Sequence, residues 1–299
     1  MKLRAIVGPT ASGKTRMAVE VAQSLNRPVE IVSCDSMGVY RGLDIAADKP
    51  GADERGGVPH HLFDIADPSD DLTAVEYRTA ARAVIADIDA RGAVPLLVGG
   101  SGLWFRAVVD DLEFAPTSAE VRRRLEAIDT DELLATLREA DPERAGAIDP
   151  RNRRRVVRAV EILELTGRPP SELRRQWDRR CGHYDLVCCG ITWERSELFA
   201  RAAARVRREV DRGLAREVVR VREAGLSRTA TQALGVKEMV DYIDGRSTLP
   251  EAEERLVRNT KRFIRRQLSW FRADPRVEWV NLSQTGWDAG RARIAERFG

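Results

Sequence analysis

Gly8-Pro9-Thr10-Ala11-Ser12-Gly13-Lys14-Thr15 decides how this chain reads, because it matches the phosphate-binding loop G-x-x-x-x-G-K-[ST] in full. Such a loop works only between a strand and a helix. Leu3 to Val7 read as a short buried strand, and Arg16 to Leu25 place Met17, Val21 and Leu25 at helical spacing. Backbone N–H groups at the helix start then face an anion, which makes Gly8, Thr10, Ala11, Ser12, Gly13, Lys14 and Thr15 the expected phosphate-binding residues. The Thr15 hydroxyl is the expected contact for Mg²⁺. This loop specifies polyphosphate and leaves the reaction open. It would serve an ATP-binding ATPase, an ATP-dependent small-molecule kinase, or a transferase whose leaving group is pyrophosphate.

Working outward, 299 residues with 43% hydrophobic composition can bury one large core, or a core plus a smaller appended domain. There is no apolar signal core before Leu3 and no run of about 18 apolar residues, so a cytoplasmic protein without a membrane span is expected. Cys34, Cys181, Cys188 and Cys189 lack paired C-x-x-C spacing and read as packing residues, with Cys34 expected to line the site without reacting. The net charge of +3 hides an asymmetry, since residues 1–115 hold 12 Lys/Arg against 17 Asp/Glu. Arg151 to Arg180 carries ten Arg against four acids, and Arg255 to Arg272 carries seven basic residues and no acid. Runs this one-sided point to a polyanion partner.

Short apolar runs alternate with helical patterns through the first hundred residues. Leu3 to Val7, Val29 to Ser33 and Val94 to Val98 read as strands, and Thr73-x-x-Glu76 is a capping box for a helix through Ala90. After Pro116 the pattern is helical, over Ala119 to Ile128, Asp131 to Glu139 and Arg153 to Thr166. Leu186 to Thr192 and Val277 to Asn281 then read as further strands. The expected fold is α/β: a P-loop NTPase-like parallel sheet core, residues 1–116 and 185–299, with an inserted all-helical domain over 117–184.

A P-loop kinase or ATPase normally places a metal-binding Asp at the end of a buried strand, but Val94 to Val98 ends in Gly99-Gly100-Ser101-Gly102. The acid ends the second strand instead, in Ser33-Cys34-Asp35-Ser36, where it serves either the site or a turn. The glycine run allows close backbone approach to a ligand or makes a plain turn. His60-His61 reads as loop structure, because adjacent histidines point apart and lack ligand spacing. On the last basic helix, Arg258, Arg262, Arg265 and Arg272 share a face, and Ile264, Leu268 and Phe271 form the core face.

In order along the chain, these landmarks resemble the tRNA dimethylallyltransferase (tRNA isopentenyltransferase) family in its bacterial-like form. The matching stations are the loop 8–15; Ser33-x-Asp35-Ser36-x-x-x-Tyr40-Arg41-Gly42-x-Asp44-Ile45; Lys49-Pro50; Pro59-His60-His61-Leu62-x-Asp64; Gly99-Gly100-Ser101-Gly102-Leu103; Arg154-Arg155-x-x-Arg158-Ala159-x-Glu161; Gly235-x-Lys237-Glu238; and Arg265-Arg266-Gln267-x-x-Trp270-Phe271. The resemblance implies transfer of a dimethylallyl group from dimethylallyl diphosphate to N6 of the adenosine 3′ of a tRNA anticodon, with Mg²⁺ required; the sequence leaves the oligomeric state open, with a monomer as the default expectation. It implies Asp35 as proton acceptor, Ser101 and Lys237 beside the diphosphate with Lys14, and tRNA contacts from Asp35, Ser36, Met37, Gly38, Ser101, Arg122, Arg154, Arg155 and Arg158. An Arg158→Ala change is expected to weaken tRNA binding chiefly. Three stretches depart from the pattern. Gly38 replaces a frequent Gln, Ala46-Ala47-Asp48 stands in place of Gly-Thr-Ala, and Asp149-Pro150-Arg151-Asn152 in place of His-Pro-Asn-Asp.

Overall fold

The computed structural model describes residues 1–178 and 182–299, so the expected packing role of Cys181 lies outside the described residues. Six strands form one sheet: β1 Lys2–Val7, β2 Val29–Cys34, β3 His60–His61, β4 Val94–Gly99, β5 Asp185–Thr192 and β6 Val277–Asn281. Their order is β3-β2-β4-β1-β5-β6, and every pairing is parallel. The His60-His61 loop expectation is therefore corrected. These two residues pair with Ile31 and Val32 as an edge strand, too short for any alternation to signal it.

Strand side chains alternate between two cores, as a sheet covered on both faces requires. Leu3, Ala5 and Val7 point to one core while Ile6 joins the other, and Cys188 and Cys189 divide in the same way. On the Ile6 face lie α1 (Lys14–Ser24) and, farther along the chain, the C-terminal helices. After α2 (Ala52–Arg55), α3 (Ala74–Ala90) and α4 (Gly102–Val109) cover the opposite face. The expected capping box opens α3, with the Glu76 N–H donating to Thr73 Oγ1 at 3.2 Å and the Thr73 N–H donating to Glu76 Oε2 at 2.8 Å. Tyr77 of α3 stacks on Trp104 of α4 at 4.1 Å, a contact worth about 0.5–1.5 kcal/mol beyond its buried area.

Among the described residues of 110–182 there follow five α-helices: α5 (Ala119–Ala127), α6 (Thr130–Ala140), α7 (Pro142–Ala147), α8 (Arg153–Thr166) and α9 (Pro170–Arg175). Among the described residues this stretch forms a compact unit of its own, and residues 1–109 with 183–299 form the other. Leu125, Leu133, Leu134, Leu137, Val156, Val157 and Val160 fill its core. The unit runs from Asp110 to Gly182. Its opening segment is tied down by side chains of the helical unit: Gln176 Oε1 accepts from the Glu113 N–H at 2.7 Å, and Arg158 donates to the Ala115 and Pro116 carbonyls, each at 2.8 Å.

The chain then returns through α10 (Arg195–Asp211), α11 (Leu214–Glu223), α12 (Val236–Ile243), α13 (Leu249–Arg272), α14 (Leu282–Thr285) and α15 (Trp287–Phe298). Ile294 and Phe298 of α15 join the Ile6 core, and Leu256 and Phe271 of α13 join the opposite one. Because all six strands run the same way, the ends of β1, β2, β4, β5 and β6 open on one edge of the sheet. That edge is where a ligand site forms in such folds.

Candidate active site

β1 ends at Val7, and Gly8 begins the loop because a Cβ there would lie 2.6 Å from the Ile191 carbonyl oxygen. Ala11 (φ +62°) and Gly13 (φ +84°) then turn the backbone left-handed, wrapping it around a hollow. No side chain caps the start of α1 at Lys14, so its first N–H groups are left for an anion. Neighbours fix the loop from outside. Gln267 Oε1 accepts from the Thr10 N–H at 2.8 Å, Trp193 Nε1 donates to the Ser12 carbonyl at 2.9 Å, and Arg201 Nε donates to the Ala11 carbonyl at 3.1 Å. Ser12 is buried and its hydroxyl has no partner among the described residues.

In front of the loop lies a cavity of about 250 Å³. Thr10, Lys14, Thr15, Asp35, Asp48 and Arg205 form its charged and polar part, while Ile31, Val98, Leu234 and Phe263 supply apolar wall. Burial, reinforced by the Arg205 charge, holds the Lys14 ammonium below the usual lysine range, with Asp35 and Asp48 opposing. A cation desolvated in this way gains most from an incoming anion. Arg205 Nε donates to Glu209 Oε1 at 2.6 Å, and its Nη1 lies 3.3 Å from Asp48 Oδ2 and also donates to Thr10 Oγ1. Burial works against the Arg205 charge, yet Glu209 and Asp48 hold its pKa above the ordinary arginine value.

Asp35, at the end of β2, combines the two roles left open by the sequence. Its Oδ1 accepts from the N–H groups of Met37 at 2.8 Å and Gly38 at 3.3 Å, which makes it a turn cap, and it also lines the cavity with Lys14. Ser36 and Met37 line the same cavity. Ser101 is placed differently from the expectation. Its Oγ accepts from the Ser36 N–H at 3.0 Å and lies 3.2 Å from Ser36 Oγ, so it braces the Asp35 turn and is not among the cavity-lining residues. Lys237 is exposed on α12 and does not line the cavity either. Arg205 and Arg266 are the other cations on the cavity. Cys34 is fully enclosed behind Asp35, its thiol pushed up to about 12 by burial, and does not reach the cavity.

The residues present suit a magnesium–diphosphate pair. Thr15 offers a hydroxyl in the first turn of α1, a hard oxygen donor, on the same cavity as the cations Lys14 and Arg205. Among the described residues no group of three or more His, Cys, Asp or Glu could hold a metal unaided. Phosphate oxygens of a ligand would complete the set, as Mg²⁺ sites commonly require.

In the helical unit, Arg122 and Arg158 turn inward onto Glu161, whose side chain is wholly buried, at 3.0 and 2.8 Å. Arg153 donates to the Glu126 and Ile128 carbonyls at 2.7 and 2.6 Å. Arg154 and Arg155 are exposed. The sequence reading gave no role to Arg205, Glu209 or Gln267. For Gln267 a signal existed, because it falls on the buried stripe Leu256, Thr260, Ile264, Gln267, Phe271, where a polar residue needs partners.

Comparison with known proteins places the chain in a family. Residues 38–274 match the family model described as IPP transferase. The chain is 42% identical over 285 residues to a tRNA dimethylallyltransferase of Anoxybacillus flavithermus, covering 94% of this chain and 91% of the relative. It is 46% identical over 289 residues to one of Kineococcus radiotolerans, covering 93% and 90%. Among solved structures, the tRNA isopentenylpyrophosphate transferase of Bacillus halodurans superposes with a TM-score of 0.74 at 40% identity, covering 99% of this chain and 95% of that one. A eukaryotic dimethylallyltransferase acting on tRNA gives 0.82 at 25% identity, over 98% and 77%. With a family model matched over most of its length and relatives above 40% identical over nearly all of it, the chain belongs to the IPP transferase family.

Proposed function

We propose that this chain is a tRNA dimethylallyltransferase, moving a dimethylallyl group from dimethylallyl diphosphate to N6 of the adenosine on the 3′ side of the anticodon and releasing diphosphate. One observation carries the reading: Lys14 and Asp35 line a single cavity that is charged at the loop and apolar along Ile31, Val98, Leu234 and Phe263. The loop N–H groups, Lys14 and Arg205 take the diphosphate, and the apolar wall takes the five-carbon tail. The tRNA adenine, turned out of its stack, brings N6 toward Asp35.

The N6 lone pair forms the new C–N bond as the C–O bond of the donor breaks, and that bonding pair leaves with the diphosphate. Negative charge building on the departing oxygen is met by the loop and its two cations. Asp35 accepts the N6 proton through the carboxylate oxygen that its turn does not use. Mg²⁺, when bound, neutralises part of the diphosphate charge. Ser101 acts through Ser36 as a positioning residue of the Asp35 turn, Arg154 and Arg155 supply exposed charge for the RNA, and the reaction belongs in the cytoplasm.

Incubation with dimethylallyl diphosphate, Mg²⁺ and unmodified tRNA, followed by nucleoside mass analysis, is expected to yield N6-dimethylallyladenosine. Lys14→Ala is expected to lower the rate by at least about a hundredfold, the loss typical of one oxyanion-stabilising group. ATP-dependent phosphorylation of a small molecule without RNA would support the kinase alternative, which family membership disfavours.

A further inference from the structure

Asp48 stands beside the phosphate cradle in the left-handed backbone region, with φ +49°. Among residues other than glycine, Asp and Asn take this conformation most readily. Its loop is locked on two sides. Glu217 accepts from the N–H groups of Asp44, Ile45 and Ala46 at 2.9, 2.7 and 2.9 Å, and buried Lys49 donates to Tyr40 O, Asp44 Oδ1 and Asp64 Oδ1 at 2.7, 2.8 and 2.5 Å. The Asp48 carboxylate is thereby held 3.3 Å from Arg205 Nη1 while Glu209 occupies Arg205 Nε. The fixed charges on the cavity are three cations, Lys14, Arg205 and Arg266, against three acids, Asp35, Asp48 and Glu209. A diphosphate thus meets a cavity with no net positive charge, and Arg205 is shared with two carboxylates.

We propose that Asp48 is a charge gate that makes donor binding conditional on a divalent cation. Without the donor, Asp48 holds Arg205. It yields Arg205 to a diphosphate only when that diphosphate arrives with a divalent cation to offset the carboxylate, so the ligand selected is the metal–diphosphate chelate and not the free anion. The inference rests on the reading of this cavity as a diphosphate site. Asp48→Asn removes the charge and keeps a residue suited to the backbone, and Asp48→Gly does so by a second route.

Titration calorimetry with inorganic pyrophosphate, in chelator and in saturating Mg²⁺, tests the gate on the folded protein. Wild type is expected to bind at least about tenfold more weakly in chelator, ~1.4 kcal/mol. In both variants, chelator binding is expected to tighten by about tenfold and Mg²⁺ binding to change by less than about threefold, so that the metal dependence collapses. An unchanged ratio of the two affinities in the variants overturns the gate and leaves the diphosphate reading standing. Wild type that binds pyrophosphate under neither condition overturns both.

Discussion

Gln267 shows how much of this site depends on one uncharged side chain. It is 5% exposed, accepts from the Thr10 N–H, and donates through Nε2 to the Gly100 carbonyl at 3.0 Å, tying the phosphate loop to the turn after β4. Gly100 must be glycine there, because a Cβ would lie 2.4 Å from Gln267 Nε2 and 3.0 Å from the Gly8 carbonyl oxygen. Gln267→Leu keeps the volume and leaves two backbone groups unpaired, each costing about 1–3 kcal/mol. The expected outcome is a melting temperature lower by several degrees and a pyrophosphate dissociation constant raised by about tenfold, since a loosened Thr10 no longer presents the cradle. Unchanged pyrophosphate affinity at a lowered melting temperature would confine Gln267 to a stability role.

At the scale of elements, the helical unit is organised around Glu161. Burial pushes this carboxyl up, but hydrogen bonds from Arg158, the Ser118 N–H and Arg122 outweigh it and hold its pKa below the usual glutamate value. A folded-state pKa depressed in this way adds stability that is fully present above the unfolded pKa and is lost as pH falls through the folded one. Residues 110–182 are therefore expected to lose hydrogen-exchange protection on acidification below about pH 4.5, and Glu161→Gln to flatten that dependence. Arg158 belongs to this network, so Arg158→Ala is expected to destabilise the unit as well as to weaken tRNA binding.

Five of the six strands, the α3 capping box and α8 from Arg153 to Thr166 were legible, because alternation, capping chemistry and flanking glycines are local signals. β3 was not, since two residues carry no period. Lys14 and Asp35 were legible from motif and strand end. Arg205 and Glu209, an i,i+4 pair on α10, carried no motif, and Asp48 meets them only when α10 is brought beside the loop after β2, a contact between residues more than 150 positions apart.

For the whole chain, the acidic excess of residues 1–115 and the basic excess beyond them separate into two tasks. The phosphate cradle combines two cations with nearby acids, which suits a small, metal-carried anion. The outer face of α13 presents Arg258, Arg262, Arg265, Arg266 and Arg272 to solvent, which suits a long polyanion. Between these charges, the account requires the leaving group and the attacking amine to meet in one cavity, with Asp35 taking the proton. Single-turnover kinetics of Asp35→Asn, with pyrophosphate affinity measured alongside, test that requirement most directly. The account predicts a transfer rate lower by about 10²–10⁴, the worth of a positioned general base, with affinity changed by less than about threefold. A transfer rate close to that of wild type would contradict it.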